Sequence, residues 1–164
     1  MSRLENLARP IMISLIKGEK IRLSPHHQAI VATWATLKAM VAEYGDSEYV
    51  TTHHMQRKYL MRNRSPPATG WAIWIAHFHR QIWGPHWLSR PFLAVSDERI
   101  ARYPGGLAPY FNSHSTTQVI GQLFIQIVRS PVPNFVDRWR FSLPRGQALF
   151  RIWPPSDYSI PWPA

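Results

Sequence analysis

Ser24-Pro25 opens, and Gly45 closes, a stretch that can be little other than one long helix: SPHHQAIVATWATLKAMVAEYG. Serine is a good N-cap, proline fits the first helical position where its missing N–H costs nothing, and glycine suits the left-handed residue that ends a helix. Between these signals Ile30, Trp34, Leu37, Val41 and Tyr44 recur at spacings of four and three and form one apolar stripe. Val31, Ala35, Ala39 and Ala42 widen that stripe with small residues, so a neighbouring element can approach closely. The pattern predicts a central helix packed on more than one side.

Two shorter helices flank it. Ser2 and Glu5 have capping-box spacing, and Leu4, Leu7, Ile11 and Leu15 follow at helical intervals, which predicts a helix to about Lys17, kinked at Pro10 and ended by Gly18. Glu19 to Leu23 reads as a charged connector and Asp46 to Val50 as a loop. Thr51 or Thr52 then caps a third helix to about Asn63, with Met55, Tyr59, Leu60 and Met61 turned inward. Arg57, Lys58, Arg62 and Arg64 crowd its last turns, where cations complement the helix dipole and are also placed to contact phosphate.

Ser65 to Gly70 breaks the helical period, and the chain changes character. Trp71 to His79 reads as a strand buried on both faces, Gly84-Pro85 as a turn, and His86 to Val95 as a strand antiparallel to the first. Pro91 would place this second strand at an edge or a bulge. Ser96 to Ser113 has no period and is long for a loop in a compact domain. Thr116 to Val128 is the strongest strand pattern, with Gly121 marking a bulge, and Ala148 to Trp153 a last strand. The Pro/Trp-rich tail, 154–164, is expected to be pinned by Trp153 and Trp162. The fold class is therefore α+β in a single domain: a three-helix region, 1–64, packed on an antiparallel sheet of three to five strands, 71–153.

Charge narrows the functional classes. Nineteen Lys and Arg against nine Asp and Glu give a net charge of +10, a field that favours polyanions or an acidic partner. Arg138, Arg140, Arg145 and Arg151 alternate with Trp139, Phe141, Phe150 and Trp153, guanidinium groups beside flat rings, which is the chemistry of backbone contact and base stacking. The same alternation also suits cation and ring packing on an ordinary sheet.

Catalytic signals are sparse. The nine acids fall mostly in caps, helix ends and turns, and the chain has no glycine-rich phosphate loop, G-x-S-x-G elbow or H-E-x-x-H helix. With no cysteine there is no disulfide, thiolate zinc site or thiol nucleophile, and no cofactor is implied. His77 and His79 share a strand face, with His86 and His114 able to approach, and form the one candidate metal group. No carboxylate spacing supports it. No apolar run is long enough for a membrane span, and the N-terminus lacks the apolar core of a signal peptide, so a cytoplasmic protein without membrane contact is expected.

Four blocks carry a family resemblance: SRLENLARPIMISLIKGEKIRLSPHHQAIVATWATLKAMVAEYG, the PP-x-x-GW-x-x-WI pattern of Pro66 to Ile75, TTQVIGQLFIQIVRSP, and the Trp-Pro ending. Together they resemble the C-terminal region of bacterial proteins whose N-terminal part looks like a cysteine-containing HNH-type endonuclease module. In that group a C-N-x-G-W-M-S segment leads into the S-x-L-E helix. Here that helix stands at the start, so the nuclease-like portion with its metal ligands is expected to be missing and no catalytic residue carries over. The resemblance implies an accessory module that accompanies nuclease chemistry; joined to the charge pattern it gives the expectation of a non-catalytic nucleic-acid-binding or accessory module, with Arg57, Lys58, Arg62, Arg64, Arg138 and Arg140, read from that pattern, as phosphate contacts. The rival expectation is a protein-interaction module, a subunit or inhibitor of another complex, working through the 96–113 loop and the Pro/Trp tail.

Overall fold

The computed structural model describes residues 3–45, 50–94, 111–140 and 148–163, and within 79–85 the backbone alone. The fold is α+β, with antiparallel sheets. Ser2, the 96–110 part of the long loop, Phe141 and Arg145 lie outside the described residues.

Helix α1 spans Arg3–Lys17 and runs through Pro10, which faces out. Gly18, at φ +68, closes it: Gly18 N–H donates to Leu15 O and Glu19 N–H to Ser14 O, the paired bonds of a Schellman motif. Its buried line is Ala8, Met12 and Leu15, one position round from the expected stripe, and Leu7 is left exposed.

Helix α2, Pro25–Ala42, starts where the sequence says: Ser24 Oγ accepts the His27 N–H at 3.2 Å. It ends differently. The chain tightens into a 3-10 turn, Glu43–Gly45, and Gly45 does not take the left-handed conformation. The large apolar stripe is also not the deepest face. Ile30, Trp34 and Leu37 are half-buried and Val41 and Tyr44 exposed, while Val31, Ala32, Ala35, Ala39, Met40 and the polar Gln28, Thr33, Thr36 and Glu43 are buried. Small side chains allow the close approach; the large ones cover its margins.

Strand β1, Ile21–Leu23, occupies the expected charged connector and pairs antiparallel with β5, Ile160–Trp162. The tail is thereby tied back to the start of α2. Gln28, fully buried, completes the tie with all four amide positions: Nε2 donates to Leu23 O and Tyr158 O, and Oε1 accepts from Ser156 N and Oγ. Trp162 and Trp153 are both buried, and Trp153 Nε1 donates to Pro67 O.

Helix α3, His54–Asn63, is capped by His53, whose Nδ1 accepts the Met55 N–H, and stops at Arg64 in the left-handed conformation, φ 53. Only Leu60 of its side chains is buried; Met55, Tyr59 and Met61 are exposed. Beyond it, β2 runs from Trp71 to Phe92 without the expected turn at Gly84-Pro85. It pairs along its length with β3, Ser113–Arg129, while β4, Leu149–Trp153, takes its other edge, giving the order β3-β2-β4. Register shifts between His77 and His86 absorb the extra β2 residues opposite Gly121.

The outer half of this hairpin folds back over its base. Ser113 Oγ donates to Ser130 Oγ at 2.9 Å, Thr117 Oγ1 to Gln126 Oε1, and Gln126 Nε2 to Ser115 Oγ. Under the fold-back Phe92 stacks with Phe135 of the short helix α4, Phe135–Arg138, and with Trp139 just after it, over Ala72, Trp74 and Val128. The main core is a second cluster shared by Leu15, Val31, Ala35, Ile73, Ile75, Leu123, Ile125, Ile152 and Trp162.

Gly121 sits where α1 meets the bend in the hairpin. At φ +57 it holds a conformation that costs about 1–3 kcal/mol in any other residue, and an added Cβ would stand 2.6 Å from Ile16 O. Gly121→Ala is expected to destabilise the domain by at least that strain, read as a lower urea midpoint.

Candidate functional site

Lys58 and Arg62 lie four residues apart on α3, opposite the buried Leu60, and both are exposed. Arg64 is exposed at the helix end, and Arg138 and Arg140 are exposed on and just after α4. None of the five makes a salt bridge to the described residues, whereas the described acids are largely neutralised: Glu5 by Lys38, Glu19 by Lys17, Asp137 by Arg151, with Glu43 held inside by His114. The positive charge is left on the surface.

Arg57 is turned to a structural use. Its guanidinium lies 4.4 Å from the Tyr44 ring centroid and Nη2 donates to Thr52 O at 2.7 Å, tying α3 to the end of α2. The rings near the arginines are committed as well: Trp139 to the Phe92 stack, Trp153 to the core, and Arg151 to Asp137 and the face of Trp74. Base stacking therefore has no support from these rings.

A cavity of about 530 Å³ separates α3 from α4. Gln56 enters it from α3, Asp137 from α4, and Trp71 and Arg151 from the sheet. Trp71 Nε1 and Gln56 Oε1 are buried without a partner among the described residues. A second groove of about 510 Å³ lies along α1, α2 and α3, walled by Leu7, Ile30, Leu37 and Met61, with Arg3, His26 and Arg64 on its lip.

His77 Nε2 meets Gln122 Oε1 at 2.9 Å, and its ring stands edge-on to Trp162 at 5.6 Å. The side chain of His79 lies outside the described residues. His114 is drawn elsewhere, and among the described residues no cluster of three or more His, Asp or Glu is placed to hold a metal. No helix among them is long and apolar enough to cross a membrane.

His114 belongs to a buried polar centre that sequence reasoning missed. Glu43, at the exit of α2, accepts from Thr52 N–H at 3.0 Å through Oε2 and from Thr52 Oγ1 at 2.7 Å through Oε1. Its Oε1 also faces His114 Nδ1 at 3.1 Å. The other ring nitrogen, Nε2, lies 2.9 Å from Ser89 Oγ. Thr116 Oγ1 is 3.3 Å from His114 Nδ1 and 3.5 Å from Ser89 Oγ. Arg129, also buried, donates through Nη1 to Thr51 O and Asn112 O.

Burial pushes the His114 pKa below 6.5; Glu43 opposes the shift and Arg129 reinforces it. Burial likewise lowers that of Arg129, with Glu43 pulling it back. The charged groups facing the imidazole are thus Glu43 and Arg129, and its β2 neighbour Ser89 is neutral. A folded-state pKa below the unfolded one means that the unfolded chain binds more protons on acidification, so stability is whole above about pH 6.5 and falls below it. Urea midpoints are expected to drop from pH 7.5 to 5.5, and His114→Gln is expected to flatten that dependence.

The polar centre could have been suspected from one signal, the run Ser113-His114-Ser115-Thr116-Thr117-Gln118 opening an otherwise apolar strand. No known protein family, curated protein or solved structure matches this chain.

Proposed function

We propose that this chain is a nucleic-acid-binding accessory module, its helical layer lying against a curled sheet, related in its sequence blocks to the region that follows HNH-type nuclease modules. The observation that carries the reading is the unneutralised charge of Lys58, Arg62, Arg64, Arg138 and Arg140 in a molecule whose described acids are mostly engaged internally. The cavity between α3 and α4 is lined by Gln56, Asp137 and Arg151 and not by these five cations, so the contacts would be made on the outer surface of the two elements. Contact of this kind is independent of sequence.

Replacing Lys58, Arg62, Arg138 and Arg140 by alanine together tests it. Binding of labelled single- and double-stranded DNA and RNA is expected to weaken, and the salt slope to become shallower by about one unit for each phosphate no longer neutralised. Unchanged affinity in the folded variant would remove this surface from the binding site.

The apolar groove along α1, α2 and α3 favours a second reading, a protein-interaction module. Leu7 and Met61, which line it, are 49% and 78% exposed. The Trp/Pro tail supports that reading less, because Trp153 and Trp162 are spent on the core.

A further inference from the structure

Glu43, Ser89 and His114 are far apart in sequence and come from three elements, the exit of α2, β2 and β3. The fold-back of the hairpin brings them into one line: carboxylate, imidazole, hydroxyl, at 3.1 and 2.9 Å. We propose that this line is a catalytic relay in which Ser89 is a nucleophile toward carboxylic esters, His114 its general base and Glu43 a positioning residue.

The geometry supplies the two contacts that define such a relay, a base within hydrogen-bond reach of the nucleophile and an acceptor that orients the base. Both oxygens of Glu43 are held by Thr52, so the carboxylate is fixed before it meets the ring. Donation from Nδ1 to Glu43 leaves the Nε2 lone pair aimed at Ser89 Oγ, which then donates to it. Burial keeps the ring neutral at pH 7, the form that can accept a proton. Depth is graded as the chemistry needs: Glu43 and His114 are 4% and 5% exposed, and Ser89 is half-buried and so nearer to solvent. Trp87, two residues earlier on the same strand face and 41% exposed, offers an apolar wall for the acyl or leaving group.

In the acyl-transfer step Ser89 Oγ bonds to the ester carbonyl carbon and its proton passes to His114 Nε2. The tetrahedral intermediate collapses, the bond to the alkoxy oxygen breaks, and the departing alcohol takes the proton from Nε2. Water, deprotonated by the same nitrogen, then attacks the acyl-serine and releases the acid and the free Ser89 hydroxyl, with the acid's proton going to solvent. A purely structural hydrogen bond would have the same distances without this reactivity.

The test uses the whole chain with a fluorophosphonate probe and with p-nitrophenyl acetate. The probe is expected to form a bond from Ser89 Oγ to phosphorus with loss of fluoride, located by peptide mass spectrometry, and ester hydrolysis is expected to fall about 10²–10⁴-fold in Ser89→Ala and His114→Gln. Glu43→Gln is expected to slow hydrolysis and move the acid limb of its pH profile to lower pH, because Glu43 raises the His114 pKa. Ser89→Cys provides an independent readout, since the chain has no other thiol. Its alkylation by iodoacetamide at pH 6 should exceed that of a free thiol at least tenfold, and should lose the excess when combined with His114→Gln. Labelling at another residue, hydrolysis that survives Ser89→Ala, or alkylation of the Ser89→Cys variant at the rate of a free thiol would each overturn the assignment.

Discussion

Glu43→Ala is expected to lower stability by about 3–5 kcal/mol, the range for stripping one partner from a buried charged network. The carboxylate is 4% exposed and serves Thr52 N–H, Thr52 Oγ1 and His114 Nδ1. Without it Thr52 N–H and Thr52 Oγ1 lose their acceptor, His114 Nδ1 is left with Thr116 Oγ1 alone, and the buried Arg129 is deprived of the nearby negative charge that favours its cationic form. The damage falls where α2, α3 and the folded-back hairpin meet, so loosening should spread to all three. Urea unfolding checks the size, and hydrogen exchange in α3 and around residues 113–116 checks the place. A variant within 1 kcal/mol of wild type by the same titration would mean the network contributes little net energy.

Trp162→Ala is expected to cost a similar amount, about 3–5 kcal/mol, the usual penalty for emptying a buried tryptophan site. Trp162 is 1% exposed, packs edge-on to His77, and belongs to β5, whose partner β1 leads directly into α2. Removing the ring should also release the turn that Gln28 holds through Ser156 and Tyr158. Proteolysis is expected to start in the tail well before the body unfolds, with Trp162→Phe recovering most of the stability. Equal protease resistance in Trp162→Ala and wild type would show that the tail is dispensable.

How legible this fold is depends on how local each determinant is. Ser24 and Pro25 place the start of α2 because capping is settled within a few residues, and Gly18 ends α1 for the same reason. The buried face of α2 is not local. Its neighbours α1, α3, the sheet and the tail select alanines and Gln28 over the larger Trp34 and Val41, which periodicity ranks first. Gly84-Pro85 reads as a turn by composition, yet β2 continues through it, because 113–119 of β3 pairs with the residues beyond. Strands β1 and β5 have three residues each and exist only through one another, so no window of sequence shows them.

The basic residues of the candidate surface are plain in the sequence, but their separate fates are not. Arg57 differs from Lys58 and Arg62 only in meeting Tyr44 and Thr52. Glu43 reads as one more acid at a helix end, and Ser89 carries no signal at all. Their meeting with His114 depends on a hairpin that doubles back, a property of register shifts and of the glycine at 121 rather than of any motif.

The most direct test of the proposed function is the affinity of the unmodified chain for labelled single- and double-stranded nucleic acid across a salt series. Contacts from five cations predict a log–log slope of about −3.5 to −4.5, with little preference for sequence. No binding at low salt, or binding that does not weaken as salt rises, would contradict a phosphate-contacting role.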